Sequence, residues 1–259
     1  MLEELKVAIG LLTKFPVKIK KTLSPQQMGR SSSFYALAAL PISLVFGAVC
    51  VLFGWLGLKS LLPVSLVALE WLLTGGLHID GLADTADAFL AYQNKERTLE
   101  ILKDVHHGTH GVCAIVLDSL LKVGLFAFLF ERDFLLGAGA CVLMPMLAKV
   151  PMVMVAAVSQ YPRQEGMAKA QFAYTKAPQV LWCMLLPLVL GGLLFWHWIL
   201  AIFGMEAVLA LWISRVSRRK IGGATGDVLG ATNQLAQTVL LFCAVLLQAA
   251  HLVALPAIW

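Results

Sequence analysis

Long apolar runs separated by short polar segments dominate the chain. Crossing the ~30 Å hydrocarbon core of a bilayer as a helix takes about 20 residues, and seven runs approach or exceed that length. They cover residues 34–58, 61–77, 112–131, 134–158, 179–195, 198–214 and 235–256. The runs lack the period-two alternation of a membrane barrel. The pattern therefore predicts an all-α fold, a polytopic membrane helix bundle of about seven transmembrane helices.

Shorter elements are expected outside these spans. Leucine and isoleucine recur at helical spacing over residues 2–12, which is typical of a helix lying in the membrane interface. The runs 179–195 and 198–214 are barely long enough for two spans, so Trp196-His197-Trp198 must form the turn between them. The sequence shows no internal repeat and no soluble domain, and residues 1–259 are predicted to form a single integral membrane domain.

Composition and charge agree with a membrane protein and give its orientation. Hydrophobic residues make up 59% of the chain and charged residues 14%, against about 25% charged in soluble domains, and the mean hydropathy is +0.82. The four segments 1–33, 78–111, 159–178 and 215–234 contain 16 of the 20 lysines and arginines. By the positive-inside rule these segments face the cytoplasm. The net charge of +5 is thus explained without nucleic acid, and lipid is the expected surroundings.

Three aspartates stand close together at the start of segment 78–111, directly after the glycine pair 75–76. On a helix, offsets of four and seven residues return to nearly the same angle. Asp80, Asp84 and Asp87 are therefore expected on one face of a cytoplasmic acidic helix. Like charges at this spacing repel each other, and a divalent cation with oxygen ligands offsets the repulsion. Mg²⁺ carrying substrate phosphates is the commonest case.

The rest of segment 78–111 adds charge and histidines. A second helix is expected from about residue 95 to 105, with Arg97, Glu100 and Asp104 on a shared face. The sequence HHGTHG at residues 106–111 indicates a tight turn near phosphate. Its three histidines leave a zinc site open as an alternative. Because no two of them are expected at i, i+4 positions of one helix, and because the neighbouring acids suit Mg²⁺ better, we favour Mg²⁺.

Two other cytoplasmic segments carry features typical of phosphate binding. In residues 222–230, GGATGDVLG follows four cationic side chains, and glycines let backbone N–H groups approach an anion closely. Arg163 is either an anion ligand, because guanidinium grips phosphate in a bidentate manner, or a loop arginine that sets topology. Within one span, Asp118 and Lys122 stand four apart and are expected either to pair or to belong to the site.

Carboxylates, basic loops and glycine-rich turns on one side of a membrane indicate phosphoryl or nucleotidyl transfer. Metal ions would bridge carboxylates and a diphosphate, neutralise the leaving group and orient an attacking hydroxyl. A carboxylate that is not bound to metal would take the hydroxyl proton.

At this point the motifs are informative as an ordered set. The sequence GGLHIDGLADTAD at residues 75–87 strongly resembles the signature of the cobalamin-5′-phosphate synthase family, also called adenosylcobinamide-GDP ribazoletransferase. The resemblance extends over nearly the whole chain, in matching order and spacing. It continues through TKFPV at 13–17, LEILKD at 99–104, GTHG at 108–111, YPRQEG at 161–166 and GGATGDVLGA at 222–231.

The resemblance implies a Mg²⁺-dependent transferase of late cobalamin biosynthesis in the cytoplasmic (inner) membrane of a prokaryote. It would join adenosylcobinamide-GDP to α-ribazole or its 5′-phosphate and release GMP, with the active site facing the cytoplasm. A homo-oligomer is left open. The resemblance assigns catalysis to Asp87, Asp84 and His78. It assigns the metal to Asp80, Asp84, Asp87 and Asp104. It makes Arg163, Thr225 and Asp227 candidates for binding the nucleotide diphosphate of the substrate. Further candidates for substrate binding are Gly226, His110 and Arg97.

The chain departs from the family pattern at a few positions. Gln234, Gln237 and Gln164 stand where acids are common, and Lys149 stands where arginine is usual. Losing acids would weaken a second metal site if those positions serve one. The three-aspartate core is unchanged, so the main expectation stands.

Two other functions compete with this interpretation. A CDP-alcohol phosphotransferase-like membrane enzyme also spaces aspartates and glycines around a metal. Its signature places an Ala-Arg pair where this chain has Ala83-Asp84. An ion transporter would use the acids as a relay, but transporters place such groups near the bilayer midplane. Here the acids follow a glycine break at the membrane edge.

Overall fold

The computed structural model describes residues 1–19, 23–250 and 252, and within these ranges the chain is helical with no strand. Two 3₁₀ turns, Ser31–Phe34 and Lys59–Leu61, accompany the α-helices. In chain order the helices are α1 (Leu2–Leu12), α2 (Pro25–Arg30), α3 (Tyr35–Ala38), α4 (Leu40–Trp55), α5 (Leu62–Thr74), α6 (Leu77–Leu90), α7 (Lys95–Ile101), α8 (Thr109–Arg132), α9 (Phe134–Leu147), α10 (Lys149–Val158), α11 (Lys169–Tyr174), α12 (Ala177–Phe195), α13 (Trp198–Ile221) and α14 (Gly226–Ala249).

The predicted polytopic bundle is confirmed. Within the described ranges, six helical stretches are long and apolar enough to cross a membrane, and a bent pair would make a seventh. The six are Pro25–Trp55, Thr109–Arg132, Phe134–Val158, Ala177–Phe195, Trp198–Ile221 and Gly226–Ala249. Large apolar side chains on these stretches stay exposed (Trp182 is 66% exposed and Leu120 is 64% exposed). Such an outer surface suits lipid rather than water.

The bent pair corrects the predicted span 61–77. Helix α5 has only 13 residues, about 20 Å at 1.5 Å per residue, which is short of the bilayer core. Gly75 and Gly76 both adopt left-handed φ angles, 65° and 75°, which glycine accepts without steric cost. The chain therefore bends by 93° before α6 begins. Segment 61–77 spans the membrane only if the two arms are counted as one broken span.

The C-terminal half confirms one prediction and corrects another. Helix α12 ends at Phe195 and α13 begins at Trp198, so the turn lies where expected. The bounds predicted for the last two spans, 198–214 and 235–256, are wrong where they face each other, because α13 continues to Ile221 and α14 already begins at Gly226. Thr232, Asn233 and Gln234 precede the predicted start of the last span at residue 235, yet all three are buried inside the bundle. The end of the predicted span, residues 253–256, lies outside the described residues.

Helix α14 lies at the centre of the fold and fixes the position of α6. The two helices cross where Gly81 of α6 faces Gly230 of α14. A Cβ atom at Gly81 would come within 2.6 Å of the backbone oxygen of Asp227 and 3.1 Å of the Gly230 Cα. Such close backbone approach needs glycine on both sides. It brings the acidic helix directly against the first turn of α14.

Candidate active site

Two aspartates and a histidine form the centre of the site. Asp80 and Asp84 project from the same side of α6, and His107 reaches them from the turn before α8. The His107 Nε2 lies 3.4 Å from Asp80 Oδ1, and its Nδ1 lies 3.4 Å from Asp84 Oδ1. One ligand atom from each residue lies within 4.8 Å of the others. Two carboxylates and an imidazole at this spacing fit one divalent cation.

Negative charge accumulates around Asp84. The Asp80 side chain is 61% exposed, whereas that of Asp84 is only 15% exposed. The carboxylates of Asp80, Asp227 and Asp87 repel the negative charge of Asp84. Of the charged side chains that act on Asp84, His107 alone favours that negative charge. Like charges held together in a partly buried place are unfavourable without a counter-ion. A bound cation would offset this repulsion.

Asp87 has a different position from its two neighbours. Its Oδ2 accepts a hydrogen bond from the backbone N–H of Gly108 at 2.7 Å, and its Oδ1 accepts one from Gly111 at 2.8 Å. A Cβ at Gly108 would lie 2.6 Å from Asp87, and one at Gly111 would also collide with it. Asp87 therefore caps the start of α8 and holds the turn that carries His107.

Asp227 is the fourth carboxylate near the cluster. It lies in the first turn of α14, beside the N-cap residue Thr225, whose Oγ1 is 3.0 Å from Asp227 Oδ2. It interacts electrostatically with Asp80 and with Arg163. Gly226 opens the helix next to it. Three of the residues predicted to bind substrate, Thr225, Gly226 and Asp227, thus lie together at the start of α14.

His78 and Asp104 lie apart from the group of Asp80, Asp84 and His107. His78 is fully buried, and its Nε2 is 3.0 Å from the Nζ of Lys149 in the bundle interior. Asp104 is exposed and follows α7, which ends at Ile101 rather than near residue 105. The prediction that Asp104 continues the face of α7 is therefore wrong. Hydrogen bonds from the His106 side chain and backbone hold the pKa of Asp104 below its usual value.

The remaining predicted substrate residues occupy varied positions. Arg163 Nη2 donates to the carbonyl oxygens of Leu102 at 3.3 Å and Leu99 at 3.5 Å, so it closes the end of α7 while facing Asp227. Arg97 pairs with Glu100 on the exposed side of α7, at 2.8 Å, as its spacing predicted. His110 is exposed in the first turn of α8.

A buried polar network lies behind the site, and we define it as the eight side chains named in this paragraph. Lys122 is its centre: its Nζ contacts Asp118 Oδ2 at 2.9 Å and Glu70 Oε2 at 3.6 Å. It also donates to the amide oxygens of Gln234 and Gln237. The amide nitrogens of both glutamines donate to Glu70. The remaining members are His78, Lys149 and Asn233, and Lys149 donates to Asn233 Oδ1 at 2.7 Å.

This network answers two questions from the sequence. The pairing of Asp118 with Lys122 is confirmed. Gln234 and Gln237, where the family pattern has acids, contact Lys122 and Glu70 rather than the group of Asp80, Asp84 and His107. Their amides therefore stabilise the bundle interior through hydrogen bonds.

Sequence reasoning missed His107 as a site residue. The run HHGTHG drew attention to the turn, but nothing in the sequence tells which histidine faces the acids. The choice depends on the two hydrogen bonds to Asp87, which fix the turn. A cavity of about 460 Å³ also opens beside the cluster, lined by Asp80, His107 and the glycine bend.

Comparisons with known proteins agree with the motif resemblance. The family model described as cobalamin-5-phosphate synthase matches residues 4–245. A relative in Acinetobacter baumannii, named adenosylcobinamide-GDP ribazoletransferase, is 34% identical over 91% of this chain and 94% of its own. Relatives of the same name in Pseudomonas fluorescens and Pseudomonas putida are 34% and 36% identical, over 96% and 93% of their own chains and 91% and 88% of this one. No solved structure matches.

Proposed function

Because the chain belongs to the cobalamin-5-phosphate synthase family, we propose that this enzyme joins adenosylcobinamide-GDP to α-ribazole or its 5′-phosphate and releases GMP. The observation that carries the proposal is the group of Asp80, Asp84 and His107, with Asp227 beside it. Both substrates named in the proposal are phosphate-bearing or phosphate-accepting. Carboxylates and phosphates are both negatively charged, so a carboxylate cluster binds a phosphate group only through a bridging cation.

Mg²⁺ is the proposed metal, held by Asp80 and Asp84. When bound, it would supply positive charge to the diphosphate and to the departing GMP. His107 makes the donor set mixed, so Mn²⁺ is a realistic substitute. Asp87 acts in this proposal as a positioning residue, because both of its oxygens already accept backbone N–H groups. We assign the same kind of role to His78, whose Nε2 lies 3.0 Å from Lys149 Nζ in the buried network.

The reaction needs one proton acceptor. The ribazole hydroxyl attacks the phosphorus attached to cobinamide, the bond to GMP breaks, and the hydroxyl proton leaves to a base. His107 lines the cavity, and Asp84 lies behind it, with its Oδ1 3.4 Å from His107 Nδ1. The candidate bases are therefore Asp84 and His107. We propose that one of these two accepts the proton while the other faces the metal.

The proposed location is the cytoplasmic membrane of a prokaryote, with the site on the cytoplasmic side. The asymmetric distribution of lysine and arginine supports this orientation. GDP-activated substrates and Mg²⁺ are both available on that side. Lipid contacts the exposed apolar side chains of the spanning helices.

The test is GMP release by purified protein in liposomes. Adenosylcobinamide-GDP is supplied with α-ribazole or with its 5′-phosphate, in Mg²⁺ or in chelator. We expect GMP and a cobalamin product to form in equal amounts, and only when metal is present. The rate of GMP release should be higher with one of the two acceptors than with the other. Equal release in chelator would overturn the metal assignment, and no release under any condition would overturn the proposed reaction.

A further inference from the structure

A lysine stands in the wall of the cavity that Asp80 also lines, and the reaction proposed above has not used it. The cavity volume, about 460 Å³, lies in the range of small-molecule sites, roughly 300–1,000 Å³. Asp80, His107, Lys14 and Gly75 all line this cavity. A group of potential metal ligands and an ammonium group therefore border the same space.

Lys14 is held in this wall by its backbone. It follows the end of α1, and its N–H donates to the carbonyl oxygen of Leu73 in the last turn of α5 at 2.7 Å. Its side chain then crosses the bare Cα of Gly75. A Cβ at Gly75 would collide with Lys14 Cε and lie 2.8 Å from Nζ. The glycine bend thus turns the chain into α6 and also leaves room for the lysine stem.

The Lys14 ammonium makes no hydrogen bond or ion pair with any residue in 1–19, 23–250 or 252. The lysines of the buried network differ, because both have protein partners at short distance. An exposed lysine is often only solvated, and Lys18, four residues further on, is such a case outside the cavity. Lys14 differs from Lys18 because it shares a cavity with Asp80 and His107.

We propose that Lys14 binds the phosphate of a nucleotide in this cavity, which Asp80 and His107 also line, an inference that rests on the proposed function. The corrin macrocycle is far too large for the cavity, whereas one nucleotide fits. Leu11, Ile79 and Ile115 supply an apolar surface for a flat base. Two substrate parts share this chemistry: the GMP portion of adenosylcobinamide-GDP, and α-ribazole 5′-phosphate.

Direct binding measurements test the proposal without turnover. GMP, α-ribazole 5′-phosphate and unphosphorylated α-ribazole are titrated separately into detergent-purified protein with Mg²⁺. We expect Lys14→Gln to weaken binding of one phosphate-bearing ligand about tenfold, the usual scale for a lost charge-assisted hydrogen bond. Unphosphorylated α-ribazole should bind equally to both proteins. The ligand that weakens identifies which nucleotide occupies the cavity.

Matched variants separate charge from general damage. Lys14→Arg keeps the charge and should stay within about threefold of wild type, and Lys18→Gln should bind as wild type. Gly75→Ala and Gly76→Ala strain the backbone alike, since both φ angles are positive. Only Gly75→Ala would push against Lys14, so it should weaken phosphate binding further than Gly76→Ala does. If Gly75→Ala does not fold, Lys14→Gln still decides the question.

Unchanged binding of both phosphate-bearing ligands by Lys14→Gln, or equal weakening by Lys18→Gln, would overturn the proposal. Failure of the proposed function looks different. Wild-type protein that releases no GMP but binds nucleotide through Lys14 would overturn the transferase reaction and leave this subsite standing. Wild-type protein that is active, with Lys14→Gln unchanged in KM and in GMP inhibition, would overturn the subsite alone.

Discussion

Helix α6 has polar clusters on two sides. One cluster gathers like charges, and the other pairs opposite charges. On one side, Asp80 and Asp84 collect like charge, with His107 as the nearby imidazole. On the other side, His78 joins the buried polar network, in which Lys122 contacts both Asp118 and Glu70. The first cluster is open to a cavity and lacks a full counter-charge. The second is closed, and opposite charges and amides face each other.

This difference separates function from stability. A buried charge that loses its partner is costly, so the network should determine whether the bundle holds together. A cluster of like charges costs stability, and a protein retains such a cluster for what it binds. Substitutions on the two sides of α6 should therefore have opposite signatures in activity and in thermal unfolding.

The largest effect is expected at the centre of the buried network. Lys122→Met removes the only lysine that contacts both Glu70 and Asp118 within the described chain, and leaves two carboxylates facing each other. Breaking a buried pair in this way costs about 3–5 kcal/mol of folding stability. Thermal unfolding in detergent measures the loss, with the exposed Lys103→Met as control. Unfolding of Lys122→Met at the control's temperature would show that the network does not stabilise the bundle.

The next effect has the opposite signature. Asp84→Asn should reduce GMP release at least about a hundredfold, because it removes a metal-binding oxygen from the cluster. Its melting temperature should equal or exceed that of wild type, because one of several like charges is gone. Glu100→Gln, which removes an exposed acid paired with Arg97, serves as control. Near-normal GMP release by Asp84→Asn at saturating Mg²⁺ would remove Asp84 from the metal site.

A smaller effect is expected from restoring an acid at a departure from the family pattern. If position 234 once held a metal-site acid, Gln234→Glu would raise activity or leave it equal. Because the Gln234 amide donates to Glu70 at 3.0 Å, the structure instead leads us to expect a loss of about 1–3 kcal/mol in stability. The Mg²⁺ concentration for half-maximal GMP release should not change. A lower requirement for Mg²⁺ would contradict the placement of Gln234 in the network.

The smallest effect is expected at Asp104. Its carboxylate contacts His106 and stands outside the group of Asp80, Asp84 and His107. Asp104→Asn should therefore keep GMP release within about twofold of wild type, the scale of exposed surface contacts. A loss comparable to that of Asp84→Asn would restore Asp104 to the metal site proposed from the family resemblance.

Local spacing explains which parts of the site were predictable. Helical periodicity placed Asp80 and Asp84 on one side of α6, and the structure has them there. Periodicity also grouped Asp87 with them. The Asp87 carboxylate instead accepts hydrogen bonds from the backbone N–H groups of Gly108 and Gly111, 21 and 24 residues away. Spacing along one helix cannot show which neighbouring element will meet it. His107 was missed for the same reason, because it approaches α6 from the turn before α8.

The fold shows the same division between local and long-range information. Apolar runs predicted the bundle and the turn at Trp196 and His197, because those signals lie within a few residues. The start of α14 was placed too late because its polar residues looked solvated. They can be buried because side chains from distant helices form hydrogen bonds with them. Lys149 donates to Asn233, and Gln234 contacts Lys122 and Glu70. Pairings between such distant segments cannot be read from one sequence.

Binding of Mn²⁺, followed by electron paramagnetic resonance in the absence of substrate, tests the metal assignment most directly. Wild-type protein and Lys103→Met should bind Mn²⁺, and Mg²⁺ should displace it. Asp84→Asn should lose that binding while its melting temperature stays at or above that of wild type. Equal Mn²⁺ binding by Asp84→Asn and wild-type protein would contradict the assignment of the metal to the side of α6 that carries Asp80, Asp84 and His107.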